Sequence, residues 1–162
     1  MGKTNYLIEG LSGTGKTSVC EELHRRGQHV VHGDRELAYR GAPDTGEPMD
    51  GVGHEHHIWD VEKVEALVAD RIHAATFFCG GSRNFSKFIH LFDSVFVLDV
   101  DLPTLHRRLD ERPDEEWGGG VPTDRERIVH WHQTKEDVPK DGIVIDATAP
   151  IDRVVDEILR QC

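Results

Sequence analysis

Short apolar runs alternate with segments of helical periodicity along this chain. The runs predict strands at residues 5–8, 28–31, 74–79, 95–98 and 142–146. The apolar residues in these runs are consecutive, whereas a strand with one solvent-facing side would alternate apolar and polar positions. Continuous runs separated by helices are typical of a parallel sheet that helices cover on both faces. The pattern therefore predicts a three-layer α/β/α fold around a five-stranded parallel sheet.

The segments between the strands contain helix start and stop signals. Asp60 and Asp101 are each placed to cap a helix, and Pro113 ends the second of these. Thr123 and Glu126 have the spacing of a capping box. Besides the helix behind Asp60, the predicted helices cover residues 17–26, 82–91, 102–112, 123–137 and 150–160.

Length and composition fit one domain spanning residues 1–162, with a polar, glycine-rich loop at 41–53. Hydrophobic residues make up 37% and charged residues 30%, and no apolar run approaches the roughly 20 residues of a membrane span. The net charge of −11 argues against nucleic acid polymers and membrane surfaces as partners, because both are polyanions. We expect a cytoplasmic protein without a signal peptide, whose three cysteines are reduced thiols.

The segment EGLSGTGKTS, at residues 9–18, contains the strongest chemical motif. Gly10, Gly15, Lys16 and Thr17 satisfy the spacing of a phosphate-binding loop between a strand and a helix. Its backbone N–H groups can surround phosphate oxygens, Lys16 adds positive charge, and the Thr17 hydroxyl can bind Mg²⁺. The predicted nucleotide-binding residues here are Gly10, Leu11, Ser12, Gly13, Thr14, Gly15, Lys16, Thr17 and Ser18.

Beyond this loop, the chain resembles the small phosphate-loop kinases: adenylate kinase, shikimate kinase and related nucleoside kinases. The resemblance rests on HGD at 32–34, CGGSR at 79–83, RLDER at 108–112, WHQ at 131–133 and DATAP at 146–150, which follow the family's order. It implies a P-loop NTPase fold, Mg·ATP as the phosphoryl donor, and a short lid at about residues 113–123. Closure of such a lid would exclude water that otherwise hydrolyses ATP.

The resemblance also implies roles for residues around the transferred group. Phosphoryl transfer depends mainly on charge neutralisation and alignment, so Lys16, Arg112 and Arg127 are predicted catalytic cations. Arg108 either joins them or stacks on the adenine, since a planar guanidinium suits the face of a base. Ala149 lies in the turn that the resemblance assigns to binding of the base.

Candidate acceptor-binding residues follow the second and third strands. Asp34 lies at the sheet edge where ligands of open parallel sheets bind, and it can accept a proton from an acceptor hydroxyl or hold a Mg²⁺-bound water. Arg83 can hold an acceptor phosphate or another polar substituent. Trp59 either stacks on a base or packs in the core or at the surface. The spacing of the polar cluster at residues 54–57 does not suit zinc. The resemblance implies instead that this cluster lines the acceptor pocket, because in the family the region between the second and third strands closes over the acceptor.

The residues predicted to surround the acceptor depart from the family pattern. Cys79 stands where adenylate kinases have a Mg²⁺-organising aspartate, and Leu37 stands where they have an arginine; Asp99 is another candidate metal acid. The sequence predicts a kinase that phosphorylates a small acceptor, preferably a nucleoside or nucleotide, as a monomer or homodimer. Two alternatives stay open: a kinase for a non-nucleoside hydroxyl metabolite or antibiotic, and a nucleotide-binding regulator with little transfer activity.

Overall fold

Strands and helices alternate along the chain, as the sequence predicts. The structure is a computed structural model that describes residues 4–10, 14–48, 57–70, 72–111, 122–134, 139 and 142–162, without the side chains of residues 122–125, 127 and 131. The elements are β1 (Thr4–Gly10), α1 (Lys16–Arg25), β2 (His29–His32), α2 (Gly33–Glu36), β3 (Ala38–Arg40), β4 (His57–Trp59), α3 (Val61–Ala69), β5 (Ala75–Cys79), β6 (Ser94–Asp99), α4 (Leu102–Asp110), α5 (Pro122–Thr134), β7 (Ile143–Asp146) and α6 (Ile151–Gln161). None of the helices in these ranges is long and apolar enough to cross a membrane.

Five of the described strands form one parallel sheet in the order β2-β5-β1-β6-β7. Side chains on the central strand β1 alternate between its two faces. Tyr6 and Ile8 belong to one buried apolar cluster, and Leu7 belongs to another. The predicted three-layer α/β/α fold with five parallel strands is therefore confirmed.

The two apolar clusters hold helices against opposite faces of the sheet. Leu23 of α1, Leu105 of α4 and Val155 of α6 are fully buried in the first cluster. Val64 of α3 and Phe88 are fully buried in the second. Each such side chain contributes about 1.5–3 kcal/mol through removal of its apolar surface from water. This packing fixes the carboxyl ends of the strands, where the candidate site lies.

The caps predicted for α3 and α4 are confirmed. The Asp60 carboxylate accepts a hydrogen bond from the Lys63 N–H at 3.2 Å, and Asp101 accepts one from the Thr104 N–H at 2.8 Å. The capping prediction at Thr123 is wrong, because α5 begins at Pro122 and Thr123 lies inside it. Proline suits a first helical position, since its fixed φ is helical and its missing N–H needs no partner.

The helix predicted at 82–91 is also wrong. This segment forms two 3₁₀ turns, Phe85–Lys87 and Ile89–Leu91. The Asn84 side chain explains the difference, because it accepts from the Trp59 N–H and donates to the Trp59 carbonyl, each at 3.0 Å. These bonds hold the start of the segment alongside β4, so an α-helix cannot begin there.

A two-stranded antiparallel sheet of β3 and β4 lies beside the main sheet, and the sequence did not predict it. Ala38 pairs with Trp59, and Arg40 pairs with His57. The Arg83 N–H donates to the His57 carbonyl at 2.9 Å, which joins β4 to the turn after β5. This small sheet therefore brings β4 to the carboxyl end of the main sheet.

Candidate active site

The phosphate-binding loop connects β1 to α1. Gly15 precedes α1 with a positive φ of 98°, and no side chain among the described residues caps this helix. The free N–H groups of the first turn are thus available to an anion. The Lys16 ammonium donates to the carbonyl of Gly10 and thereby folds back across the loop. Leu11, Ser12 and Gly13 lie outside the described residues, so their predicted contacts with phosphate stay predictions.

The site offers few protein ligands for Mg²⁺. Within the described ranges, no three His, Cys, Asp or Glu side chains cluster to hold a metal ion. Thr17 and Ser18 are exposed in the first turn of α1, while Asp99 ends β6 opposite Asp146 of β7. Mg²⁺ in kinase sites keeps several waters and binds one or two protein groups together with phosphates. A site in which the protein supplies the Thr17 hydroxyl as a Mg²⁺ ligand, and phosphates and waters supply the others, fits this behaviour.

Arg108 links the phosphate loop to the turn after β7. Its guanidinium donates to the carbonyl of Thr14 at 3.0 Å and to the carbonyl of Ala147 at 2.8 Å. Burial lowers its pKa, although an arginine stays charged at neutral pH. Ala149, the predicted base-binding residue, is half-buried two positions after Ala147. Arg108 thus connects the phosphate loop to the turn that contains Ala149, and the contacts predicted for both residues with a nucleotide stay predictions.

Asp34 lies on the other side of Lys16, in α2 directly after β2. Lys16, Thr17, His32, Asp34, Arg35 and Gly80 line a small pocket of about 30 Å³. Partial burial raises the pKa of the Asp34 carboxyl, but the hydrogen bond with His57 and the charge of Lys16 outweigh this, so the pKa lies below its usual value. Asp34 is therefore a carboxylate at neutral pH beside the phosphate-binding lysine.

Cys79 ends β5, at the position where the resemblance to adenylate kinases leads to the expectation of an aspartate. Burial and the neighbouring Cys20 raise the pKa of the Cys79 thiol well above its usual value, so this side chain is neutral and cannot organise Mg²⁺ as a carboxylate would. Cys20, Cys79 and Cys162 are free thiols. The departure that the sequence indicates at Cys79 is thus a real chemical difference at the end of the strand.

Glu9 is a residue of this site that the sequence analysis missed. Its side chain is 2% exposed, and its Oε1 accepts from the Gly10 N–H at 3.2 Å. A Cβ at Gly81 would lie 2.7 Å from Glu9 Oε1 and 3.7 Å from Lys16 Nζ, so the acid and the lysine border the same turn. An acid inside an otherwise buried strand was the available signal, because burial of an unpaired carboxylate is costly.

Trp59 packs inside the core. It is 1% exposed and stacks on Phe88 with ring centroids 5.4 Å apart. A Cβ at Gly33 would meet the indole ring at 2.0 Å, which places the other side of the ring against α2. Of the roles predicted for Trp59, this geometry fits packing and leaves no open face for a base.

Arg83 is half-buried beside β4, and its predicted acceptor contact stays a prediction. Arg112, His54, His56 and residues 113–121 of the predicted lid lie outside the described residues. Arg127 lies in α5, but its side chain is not described. The catalytic roles predicted for the two arginines therefore stay predictions.

Solved structures similar to this chain are small-molecule kinases. A sugar kinase from Janibacter sp. HTCC2649 is 16% identical, with a TM-score of 0.56 over 98% of this chain and 93% of its own. A gluconokinase from Sinorhizobium meliloti 1021 is 16% identical, with a TM-score of 0.58 over 97% of this chain and 90% of its own. Shikimate kinase from Aquifex aeolicus vf5 is 15% identical, with a TM-score of 0.58 over 98% of this chain and 95% of its own.

Sequence comparison adds no relative to these structures. No protein-family model matches the chain, and no curated protein matches its sequence. The similarity therefore concerns the fold, and it extends over nearly the whole length of both chains in each comparison. The order of the strands, the loop before α1 and the structural neighbours agree: the chain has the fold of the P-loop small-molecule kinases.

Proposed function

We propose that this protein is a kinase that transfers the γ-phosphoryl group of Mg·ATP to a hydroxyl group of a small metabolite. The observation that supports this most is the pocket in which Lys16 and Asp34 lie together. A lysine of a phosphate loop holds the donor, and a carboxylate beside it can receive the proton of an attacking hydroxyl. These are the two charges that a hydroxyl kinase needs on either side of the transferred group.

The donor side is built by the phosphate loop and Arg108. Backbone N–H groups at the start of α1 and the Lys16 ammonium would bind the β- and γ-phosphates. The Thr17 hydroxyl would hold Mg²⁺, which supplies neutralisation of phosphate charge when it is bound. Arg108 tethers the loop through Thr14 and leaves one face of its guanidinium for the base.

The acceptor side favours a neutral hydroxyl over a phosphate. Because the pKa of Asp34 is lowered, its negative charge would repel an anionic acceptor phosphate, such as that of a nucleotide. The same charge stabilises the proton that a hydroxyl loses during attack. Asp34 therefore supports an acceptor that reacts through a hydroxyl group.

Among hydroxyl acceptors, we favour a non-nucleoside compound such as a sugar, a sugar acid or a cyclic polyol. The buried Trp59 offers no stacking surface for a base, which removes one of the contacts that supported a nucleoside. The structural neighbours are named as kinases of a sugar, of gluconate and of shikimate. These observations support the metabolite alternative over the nucleoside or nucleotide that the sequence favours.

The test is ADP release from Mg·ATP with a panel of sugars, sugar acids, cyclic polyols, nucleosides and nucleoside monophosphates. Stimulation by one non-nucleoside class, abolished by Lys16→Ala, is the expected result. Stimulation by nucleosides or nucleotides alone would overturn the acceptor class. Tight ATP binding without stimulation by any compound would instead support a nucleotide-binding regulator.

A further inference from the structure

Strand β4 directs two side chains toward Asp34. His57 and Trp59 are two positions apart on this strand and so lie on the same side of it. The His57 Nε2 lies 3.0 Å from Asp34 Oδ1, a distance at which its N–H donates a hydrogen bond. The Trp59 indole N–H is buried and has no hydrogen-bond partner among the described residues, but it is close enough to Asp34 to help lower the pKa of the carboxyl.

The packing around these groups admits little movement. A Cβ at Gly80 would lie 2.9 Å from the Trp59 ring and 3.0 Å from Asp34 Oδ1, so no larger residue fits there without displacing one of them. Strand β4 is itself held by the Arg83 N–H, which donates to the His57 carbonyl at 2.9 Å. The contact between His57 and Asp34 is thus part of a supported arrangement.

We infer that His57 is a positioning residue for the acceptor-activating carboxylate. It occupies Asp34 Oδ1 and thereby turns Oδ2 toward the acceptor hydroxyl. This inference rests on the proposed function, in which the hydroxyl proton moves to Asp34 Oδ2 as the acceptor oxygen bonds to the γ-phosphorus. The bond from that phosphorus to the β–γ bridging oxygen then breaks, and ADP leaves.

Several other groups face Asp34 from the elements around it. They are Lys16 from α1, His32 from β2, Arg35 from α2, Trp59 from β4 and Cys79 from β5. Lys16 already belongs to the donor site, and Trp59 belongs to the core. His57 is a suitable residue to replace, because its side chain is 35% exposed and reaches Asp34 Oδ1 from β4.

The test measures the pKa of Asp34 directly, and this readout needs no acceptor. The carboxyl carbon of Asp34 is followed by NMR as a function of pH and is assigned by its loss in Asp34→Asn. In His57→Leu the pKa of Asp34 should rise, because a hydrogen bond and a nearby cation are both removed. In His57→Gln, which keeps an N–H donor, most of the rise should be absent. His90→Leu, which replaces an exposed histidine in the second 3₁₀ turn, should match the wild type.

Activity then separates this inference from the proposed function. With the acceptor identified by ADP release, kcat/KM of His57→Leu should fall by about tenfold or more, and the acidic limb of its pH profile should move to higher pH. An unchanged pKa of Asp34 in His57→Leu overturns the inference, whatever the activity. An unchanged acidic limb alongside a shifted pKa overturns it as well. If the pKa shifts but no hydroxyl compound stimulates the wild type, the proposed function fails while the contact stands.

Discussion

Gly33→Ala should destabilise the protein by about 2 kcal/mol, although the change adds one methyl group. A Cβ at this position would lie 2.0 Å from Cζ2 of Trp59 and 2.6 Å from two further ring atoms. The ring cannot retreat easily, because it is fully buried against Phe88. Overpacking of a well-filled core costs roughly 1–3 kcal/mol, and this contact is far shorter than van der Waals distance. Alanine also makes the unfolded chain less flexible than glycine does, and this stabilises the folded state by only about 0.4–1 kcal/mol.

Urea unfolding, followed by circular dichroism, measures this change in the free energy of unfolding. The control is a double-mutant cycle with Trp59→Leu, whose smaller side chain leaves room for the methyl group. If the clash explains the loss, Gly33→Ala should cost much less in the Trp59→Leu background than in the wild type. An equal cost in both backgrounds would refute the reasoning and point to the backbone of α2. A free energy of unfolding equal to that of the wild type in the single variant Gly33→Ala would also refute the reasoning.

Three further predictions concern the site. Asp34→Asn should lower kcat for ADP release by about 10²–10⁴-fold with little change in ATP affinity by calorimetry, and activity near the wild-type level would contradict its role as base. Arg108→Ala and Arg108→Lys should both weaken ATP binding by about tenfold or more, because only a guanidinium spans the carbonyls of Thr14 and Ala147; wild-type affinity in the lysine variant would disprove this. Because the pKa of Asp34 lies below its ordinary value, kcat/KM should stay level at neutral pH and decline only in the acidic range where this carboxylate takes up a proton, and an acidic midpoint near neutrality would contradict it.

The sequence predicts the main sheet because each of its strands is a local feature. Residues 6–8 and 95–98 are continuously apolar, and burial on both faces favours this in a central strand. The loop from Gly10 to Thr17 is predictable for the same reason, since its function depends on the spacing of neighbours in the chain. The caps at Asp60 and Asp101 also involve residues within one helical turn.

The acceptor side could not be predicted in this way, because it depends on contacts between distant residues. His57 meets Asp34 only after a separation of 23 positions, and β3 and β4 have three residues each, too few for a periodic pattern. Trp59 is buried by Gly33 and Phe88 from two other segments. Glu9 could have been noticed as an acid in a buried strand, but the approach of Gly81 to both Glu9 and Lys16 joins segments that are distant in the chain.

The most direct test of the central claim is transfer of the γ-phosphoryl group from isotopically labelled Mg·ATP to a polyhydroxylated acceptor that is neither a nucleoside nor a nucleotide. The labelled product is separated and identified by mass spectrometry. The account predicts a phosphorylated acceptor with the wild-type protein, none above background with Lys16→Ala, and at least about a hundredfold slower transfer with Asp34→Asn. Label that reaches only water or only nucleoside monophosphates in the wild type would contradict it, as would undiminished transfer in Asp34→Asn.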